Sequence, residues 1–517
     1  MAETATSPAA KDNGIDGLLD LTRHRLSQIA ERTPTASERW MRYLGLPLGI
    51  LAFLGLYYMP APAGLTGAGQ VVIACFALAF IWWVTEPIPT HLTSLVLMAL
   101  LVFFNGYGEE DVLNVLGNSV IWLNVLAFIL ASMLVKTNLA RRMALALIVR
   151  WGHSASQILL AFFVLNLVLA AFIPATAARA AMLLPILMVV ASIYGASRER
   201  PNNFGRNLFL QNVQGVDFCS SAYMTGSNAN IIALAFILSM AGERVYYTDW
   251  LFASLPVVVI AMLVSWFIGP RIIFRLRPEQ KQPVVSGGLE RLQEKLREMG
   301  PVSAPEKKAM AIFGLVIVLW VTDQLHMRMF GFEVTAVMAA FVGAVIALAP
   351  RVGLLKWSEA DIPWHLMLFS SGAYAGGLAL NDTGAARWLV GSLFERMNIG
   401  PGVGFWPVYC VVIAANMFAH IFFTSKTMRT LIFIPFVIAI AQTLGFHPLA
   451  LALPAAFTID WVFTLPINAK PNVIQYSTGQ YSVLDSLKYG LVMTAVGTLL
   501  LIAAGFTWFR LLGITPG

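Results

Sequence analysis

The sequence predicts an all-α polytopic membrane protein of about 11 transmembrane helices with two re-entrant hairpins, built as two inverted-topology repeats. Three observations predict it: sparse charge, many apolar runs of membrane-spanning length, and a set of landmarks that recurs in order. Of 517 residues, 58% are hydrophobic and 12% charged, with a mean hydropathy of +0.73. Soluble domains carry roughly 25% charged residues, so a single water-facing domain is excluded. Runs of about 20 apolar residues are each long enough to cross a hydrocarbon core of roughly 30 Å as a helix. The net charge of +7 is scattered through loops without a basic tract, which excludes a nucleic-acid partner and fits the loops of a bilayer protein. Cys75, Cys219 and Cys410 lie in apolar runs with no ligand spacing.

Residues 1–41 are polar and lack a signal-peptide core. Within them "DGLLDLTRHRLSQIAER" (16–32) has helical apolar spacing and a basic face, so a cytoplasmic N-terminal segment with an amphipathic helix is expected. Spans follow near 42–59, 68–85, 88–105 and 119–138, then a surface segment at 140–153. A hairpin over 156–194 breaks at its tip, 174–177, and a span over 208–241 is interrupted at "TGSNAN" (225–230). A span at 249–275 ends the first half, so 42–275 reads as one span plus repeat 1. The polar stretch 276–308 is a cytoplasmic linker. Residues 309–517 read as repeat 2: spans near 309–325, 331–350 and 364–382, a surface segment at 383–399, and a hairpin over 404–444 with its tip at 424–427. A span over 447–480 broken at "INAKPN" (467–472) and a last span at 485–510 complete it.

The repeat rests on order. "WVTE" (83–86) recurs as "WVTD" (320–323), "TNLAR" (137–141) as "TGAAR" (383–387), and "NANII" (228–232) answers "KPNVI" (470–474). Between the last two landmarks, Arg179 and Pro185 recur 250 positions later as Arg429 and Pro435. Each copy has an odd number of crossings, so the second lies upside down relative to the first. Arg23, Arg25, Arg39 and Arg42, the arginines of 141–150 and 198–206, and the linker charges all fall on one side, which places the N-terminus in the cytoplasm and the chain in the plasma membrane. Inverted repeats with matching broken helices point to a secondary transporter whose site lies where the breaks meet.

Irregular backbone at membrane depth survives only around protein or a water-filled cavity. The four breaks are rich in hydroxyl and amide groups and present helix N-termini, whose N–H groups and dipole suit an anion. Arg179, Lys426, Arg429 and Lys470 add positive charge, and no acidic residue falls inside any break as drawn. Intramembrane charge is costly unless paired, so the cations call for a small divalent anion. The expected substrate contacts are Thr176, Ala177, Arg179, Ser227, Asn228, Asn230, Ser425, Lys426, Thr427, Arg429, Lys470 and Asn472. His420, one turn before the second tip, is the histidine placed for a proton link. No zinc-protease, aspartyl-protease or clustered His/Cys pattern occurs, so no enzymatic role and no cofactor are expected.

"WWVTEPIPTHLTSL" (82–95) and "IPWHLMLFSSGAYAGGLALNDTGAARWL" (362–389) resemble signature segments of the divalent anion/sodium symporter (DASS) family of the ion transporter superfamily. The broken loops are similar to that family's proline–asparagine loops, and the tips stand where it carries Ser-Asn-Thr. The resemblance runs over about 42–510 and implies a homodimer with an elevator-type transport domain for di- and tricarboxylates, sulfate and related anions. The tips depart from the family: Ala175-Thr176-Ala177 and Ser425-Lys426-Thr427 replace Ser-Asn-Thr. The positions that would hold sodium become a degenerate set of Thr176, Gly226, Lys426 and Asn468, and no metal ligand is assigned. Basic residues at 179 and 429 resemble the exchanger branch. The expectation is sodium-independent exchange of dicarboxylate-type anions. The alternatives are sodium- or proton-coupled symport of dicarboxylate, tricarboxylate, sulfonate or sulfate, and an anion channel.

Overall fold

In lipid the backbone must satisfy its own hydrogen bonds, which favours helices. The structure, a computed structural model, describes residues 36–517 apart from 199, 285–287, 397–401 and 424. The segment 16–32 and Thr424 lie outside the described residues. Among the described residues the regular elements are helical. A first helix, α1 (Ala36–Tyr58), precedes α2 (Gly67–Thr85), α3 (Thr90–Phe103), the short α4 (Glu109–Asn114), α5 (Ser119–Lys136) and α6 (Leu139–Trp151). Then come the hairpin α7 (Ala155–Ala170) and α8 (Thr176–Ile193), the broken pair α9 (Asn203–Ala222) and α10 (Asn228–Ala241), and α11 (Tyr247–Ile268). The linker contains α12 (Gly288–Glu298).

The second half follows as α13 (Ala304–Val321), α14 (His326–Phe330), α15 (Ala336–Leu348), α16 (Trp364–Asp382), α17 (Ala385–Arg396), hairpin α18 (Phe405–Ala419) and α19 (Lys426–Leu444), broken pair α20 (Pro448–Ile459) and α21 (Lys470–Tyr476), α22 (Val483–Phe506) and α23 (Trp508–Leu511). The series α2, α3, α5–α11 therefore answers α13, α15–α22 in order. Small features repeat with it. Asn138 before α6 has φ 57° and Gly384 before α17 has φ 73°, so both surface helices are entered through a left-handed residue. Asn166 and Asn416, 250 positions apart, each donate to the carbonyl four residues back, Phe162 O at 2.9 Å and Val412 O at 3.2 Å.

Seven described helices are long and apolar enough to cross a membrane, and the bent pair Ala304–Val321 with Asp323–Met329 makes eight. The hairpin and broken-helix pieces α7, α10, α18 and α20 have 16, 14, 15 and 12 residues. At 1.5 Å per residue these rise only about 18–24 Å, so a length criterion passes over the hairpin and broken-helix pieces. The second break differs from the expected 467–472: helix stops at Ile459 and resumes at Lys470, so the interruption opens at Asp460.

Two groups of helices form the molecule. In one, α3 packs on α16 and α5 on α15. "SSGAYAGG" supplies the close approach: a Cβ at Gly372 would fall 2.6 Å from Ser94 Cβ, and Ser94 Oγ donates to Phe369 O at 3.0 Å. In the other, α7–α11 interleave with α18–α22. Here α10 packs on α19 and α20, while α21 packs on α8 and α9. Each broken helix thus sends its second piece into the opposite repeat, and this exchange brings the two breaks together.

Candidate functional site

The first tip turns between α7 and α8. Ala175 gives α8 no side-chain cap, and Thr176 and Ala177 beside it are half-buried. Arg179, the fourth residue of α8, is fully buried. Its Nη2 donates to Ser220 Oγ at 2.5 Å, Gly226 O at 3.1 Å and Val216 O at 3.4 Å, at the C-terminal end of α9. Arg429, fourth in α19, repeats the arrangement: Nη2 donates to Thr458 O at 2.5 Å near the end of α20. Both cations sit at the negative end of a helix dipole. Nε and Nη1 of each have no hydrogen-bond partner among the described residues. Both guanidiniums interact electrostatically with the same two carboxylates, Asp217 and Asp460.

Those carboxylates overturn one expectation. The sequence places cations in the breaks with no acidic residue among them, and Asp217, just before the first break, as a partner for one of the arginines. Asp217 and Asp460 are instead both 0% exposed, and they flank Lys426. Lys426 is the first residue of α19, where the helix dipole opposes a cation. Its ammonium lies 2.6 Å from Asp217 Oδ1 and 3.5 Å from Asp460 Oδ1. A buried charge left without such partners costs several kcal/mol. The sequence carried a signal for this: Asp460 follows Asp217 by 243 positions, beside the 242 that separates Asn472 from Asn230. The widened second break hid it, because Asp460 belongs to a helix end and not to the middle of a span.

The remaining expected residues divide. Ser227 caps α10 by accepting from Asn230 N at 3.3 Å and donates to Asp460 Oδ2 at 2.7 Å, so the first break is tied to the second. Asn230 Nδ2 donates to Ser220 O at 2.8 Å and Tyr223 O at 3.0 Å. Asn472 Nδ2 does the same at the other break, to Val462 O at 2.7 Å and Leu465 O at 3.3 Å. These two amides brace the interruptions and keep only Oδ1 unpartnered. Half-buried Asn228 reaches Ser370 Oγ on α16 at 3.3 Å. Ser425 caps α19 through Met428 N at 3.3 Å, and Thr427 beside it is half-buried. Lys470 is exposed at the start of α21 and stands apart from the buried group. His420 is buried with Nδ1 facing Met417 O and Nε2 2.9 Å from Thr464 Oγ1, so both ring nitrogens are engaged in tying the hairpin to the break.

The residues at the family's sodium positions do not fit that ion. An ammonium stands at 426. Gly226 O accepts from Arg179, and Asn468 Oδ1 accepts from Leu465 N at 2.8 Å while its Nδ2 donates to His420 O at 2.7 Å. Two cavities, of about 670 and 330 Å³, lie away from this group; one borders the C-terminal residues 512–516 and the other runs between α5, α10 and α15.

A family profile described as the sodium:sulfate symporter transmembrane region matches residues 38–515. The chain belongs to this family. Relatives similar to the chain include a sodium-dependent dicarboxylate transporter SdcS of Staphylococcus saprophyticus, 27% identical over 455 residues and covering 85% of this chain and 86% of that one. The SdcS of Staphylococcus aureus strain NCTC 8325 is 26% identical over 477 residues, with 89% of each chain covered. A membrane protein of Cupriavidus necator is 26% identical over 489 residues, covering 91% and 93%. Among solved structures, the YdaH transporter of Alcanivorax borkumensis superposes with a TM-score of 0.56 over 93% of this chain and 99% of its own, at 12% identity, a likeness of fold alone. As a sodium:sulfate symporter family member, the protein is an integral membrane transporter of anionic substrates.

Proposed function

We propose that this family member is a secondary-active transporter of small divalent organic anions, dicarboxylate-type, working by sodium-independent exchange. The observation that carries the reading is the pair of buried guanidiniums from opposite repeats, each with two unpartnered nitrogens. Orphaned buried donors call for acceptors, and a carboxylate pairs with guanidinium in charge-assisted hydrogen bonds. Thr176, Ala177, Ser227, Asn228, Ser425 and Thr427 line the approach, while Asn230 and Asn472 hold the loops in shape. Lys426, fixed by two carboxylates, supplies from within the chain the positive charge that sodium supplies elsewhere in the family. The anion crosses as α7–α11 and α18–α22 move as one elevator body against the other helices, in a homodimer within the plasma membrane with the N-terminus cytoplasmic.

A second reading, sodium-coupled symport, is favoured by the printed names of the Staphylococcus relatives. Purified protein in liposomes preloaded with succinate, citrate or sulfate separates the two. Labelled uptake that needs an internal anion and ignores a sodium gradient is expected. Uptake into empty vesicles that requires sodium would replace exchange by symport, and uptake that simply follows membrane potential would mark a channel.

A further inference from the structure

Three cations and two carboxylates meet in the interior: Arg179, Lys426, Arg429, Asp217 and Asp460. Every one is at most 9% exposed. With all five ionised the group carries one net positive charge. A bound dianion would turn that into one net negative charge at mid-membrane, where unbalanced charge is costly. One proton taken up with the anion would cancel it.

The two aspartates are not equally placed to take that proton. Asp460 uses Oδ2 to accept from Ser227, while its Oδ1, 3.5 Å from the Lys426 ammonium, makes no hydrogen bond among the described residues, so the oxygens alone do not separate the two. Asp217 binds the ammonium through Oδ1 and has the Val462 backbone N–H beside its carboxylate, and its Oδ2 makes no close hydrogen bond among the described residues. Their helices differ more. α20 reads "PLALALPAAFTI", apolar up to Thr458. α9 instead carries Asn207, Gln211, Gln214 and Asp217, all buried, at helical spacings of four, three and three. Residues so spaced stand over one another on a helix face.

Their contacts form a connected polar group. Gln211 Nε2 donates to Tyr489 OH and Ser265 O, both at 3.0 Å, while Ser265 Oγ donates to Gln214 Oε1 and lies 2.9 Å from Tyr489 OH. Asn207 Oδ1 and Gln211 Oε1 are buried acceptors without partners. Such atoms are usually satisfied by ordered water. Ten residues of helix span about 15 Å, half of a hydrocarbon core of roughly 30 Å. The stripe starts at the arginine-rich face, where Arg206 pairs with Asp485 at 3.3 Å and Asn203 Nδ2 donates to Arg275 O at 2.9 Å. It ends at Asp217.

We propose that the polar stripe of α9 is a hydrated proton route from the arginine-rich face, and that Asp217 takes up one proton at Oδ2 together with each dianion. The inference rests on the dianion-transport reading above. The proton comes from water at one face, converts the carboxylate to a carboxylic acid, and returns to water at the other when the anion leaves. The groups that face Asp217 are Arg179 from α8, Lys426 and Arg429 from α19, Asp460 at the end of α20 and Cys219 on α9 itself; Tyr489 of α22 meets the stripe at Gln211. A proton on Oδ2 leaves the contact of Oδ1 with Lys426 in place, so proton binding changes the charge without dismantling the hairpin tip.

The test uses the full-length protein, purified in weakly buffered detergent solution near pH 7.5, with a dye that reads proton uptake as succinate is added and calorimetry that reads succinate binding. In exchange the outgoing dianion carries the same proton back, so the binding step, and not the lumen pH of exchanging liposomes, reports the proton. Wild type is expected to take up about one proton from solution for each succinate bound. Asp217→Asn is expected to bind succinate with no proton uptake. Gln211→Leu is expected to slow the proton signal in stopped flow. Wild type that binds and exchanges succinate with no proton uptake would overturn the proton link and leave the exchanger reading standing. Proton uptake unchanged in Asp217→Asn would overturn it too, showing that succinate carries its own proton. Failure to bind or exchange any anion would remove both readings. The wild-type dye measurement decides even if neither variant folds.

Discussion

At the residue scale, the interior is set by matched charges that carry two tasks each. Arg179 holds Gly226 O in the first break and Arg429 holds Thr458 O near the end of α20, while Nε and Nη1 of each stay uncommitted among the described residues. Replacing either by Ala removes the proposed substrate contact and the clamp together. Arg179→Lys and Arg429→Lys keep a charge but lose the fork geometry. Each is expected to raise the KM for succinate by at least about tenfold, the loss of roughly one charge-assisted hydrogen bond, while the protein still elutes as a single folded species. A wild-type KM in either would remove that guanidinium from the anion site. Lys426→Asn leaves Asp217 and Asp460 facing each other without their ammonium. Its melting temperature is expected to fall below wild type and to recover on adding sodium, as a free cation takes the vacated place. A melting curve indifferent to sodium would show that the ammonium is no stand-in for the ion.

At the element scale, both broken helices depend on backbone approaching backbone. A Cβ on Gly226 would lie 2.2 Å from Ser220 O, and one on Gly490 of α22 would lie 2.4 Å from Phe463 O in the second break. Neither neighbour is a flexible side-chain end. Gly226→Ala and Gly490→Ala are each expected to cost about 1–3 kcal/mol through overpacking, read as a lower midpoint in thermal unfolding, with uptake reduced in parallel. Asn230→Ala and Asn472→Ala test the braces. Each strands two carbonyls, at a cost of about 1–3 kcal/mol, and the two losses are expected to be similar because the breaks are equivalent. Much of this level was legible from the chain. Asparagines at 230 and 472 mark where helices start again after an interruption, and the prolines at 185 and 435, inside α8 and α19, mark the repeat. The second break was misplaced at 467–472 because "DWVFTLP" is apolar apart from Asp460 and Thr464, and hydropathy alone does not report where helical hydrogen bonding stops.

At the scale of the whole molecule, the halves are joined by more than the chain between them. Arg142 on α6 donates to Met299 O at 2.9 Å, Gly300 O at 2.8 Å and Glu306 Oε1 at 2.5 Å, gathering the end of α12 and the start of α13. Arg142→Ala is expected to expose this stretch, read as faster tryptic cleavage after Lys295 or Arg297 than in wild type; equal rates would show that the linker is held elsewhere. The sequence by itself determined the membrane class, the duplicated order of elements and the two arginine hairpins, because apolar length and residue spacing are local properties that survive in a string. The tertiary structure alone decided that Lys426 is neutralised by Asp217 and Asp460, that Asn230 and Asn472 brace backbone, and that Lys470 stands outside the buried group. The first of those outcomes depends on the two repeats interleaving, which puts Asp217 and Lys426, 209 positions apart, within hydrogen-bond reach, and no spacing along one chain encodes such a distance; the amide braces span only seven to ten positions and arise from the path of each broken loop.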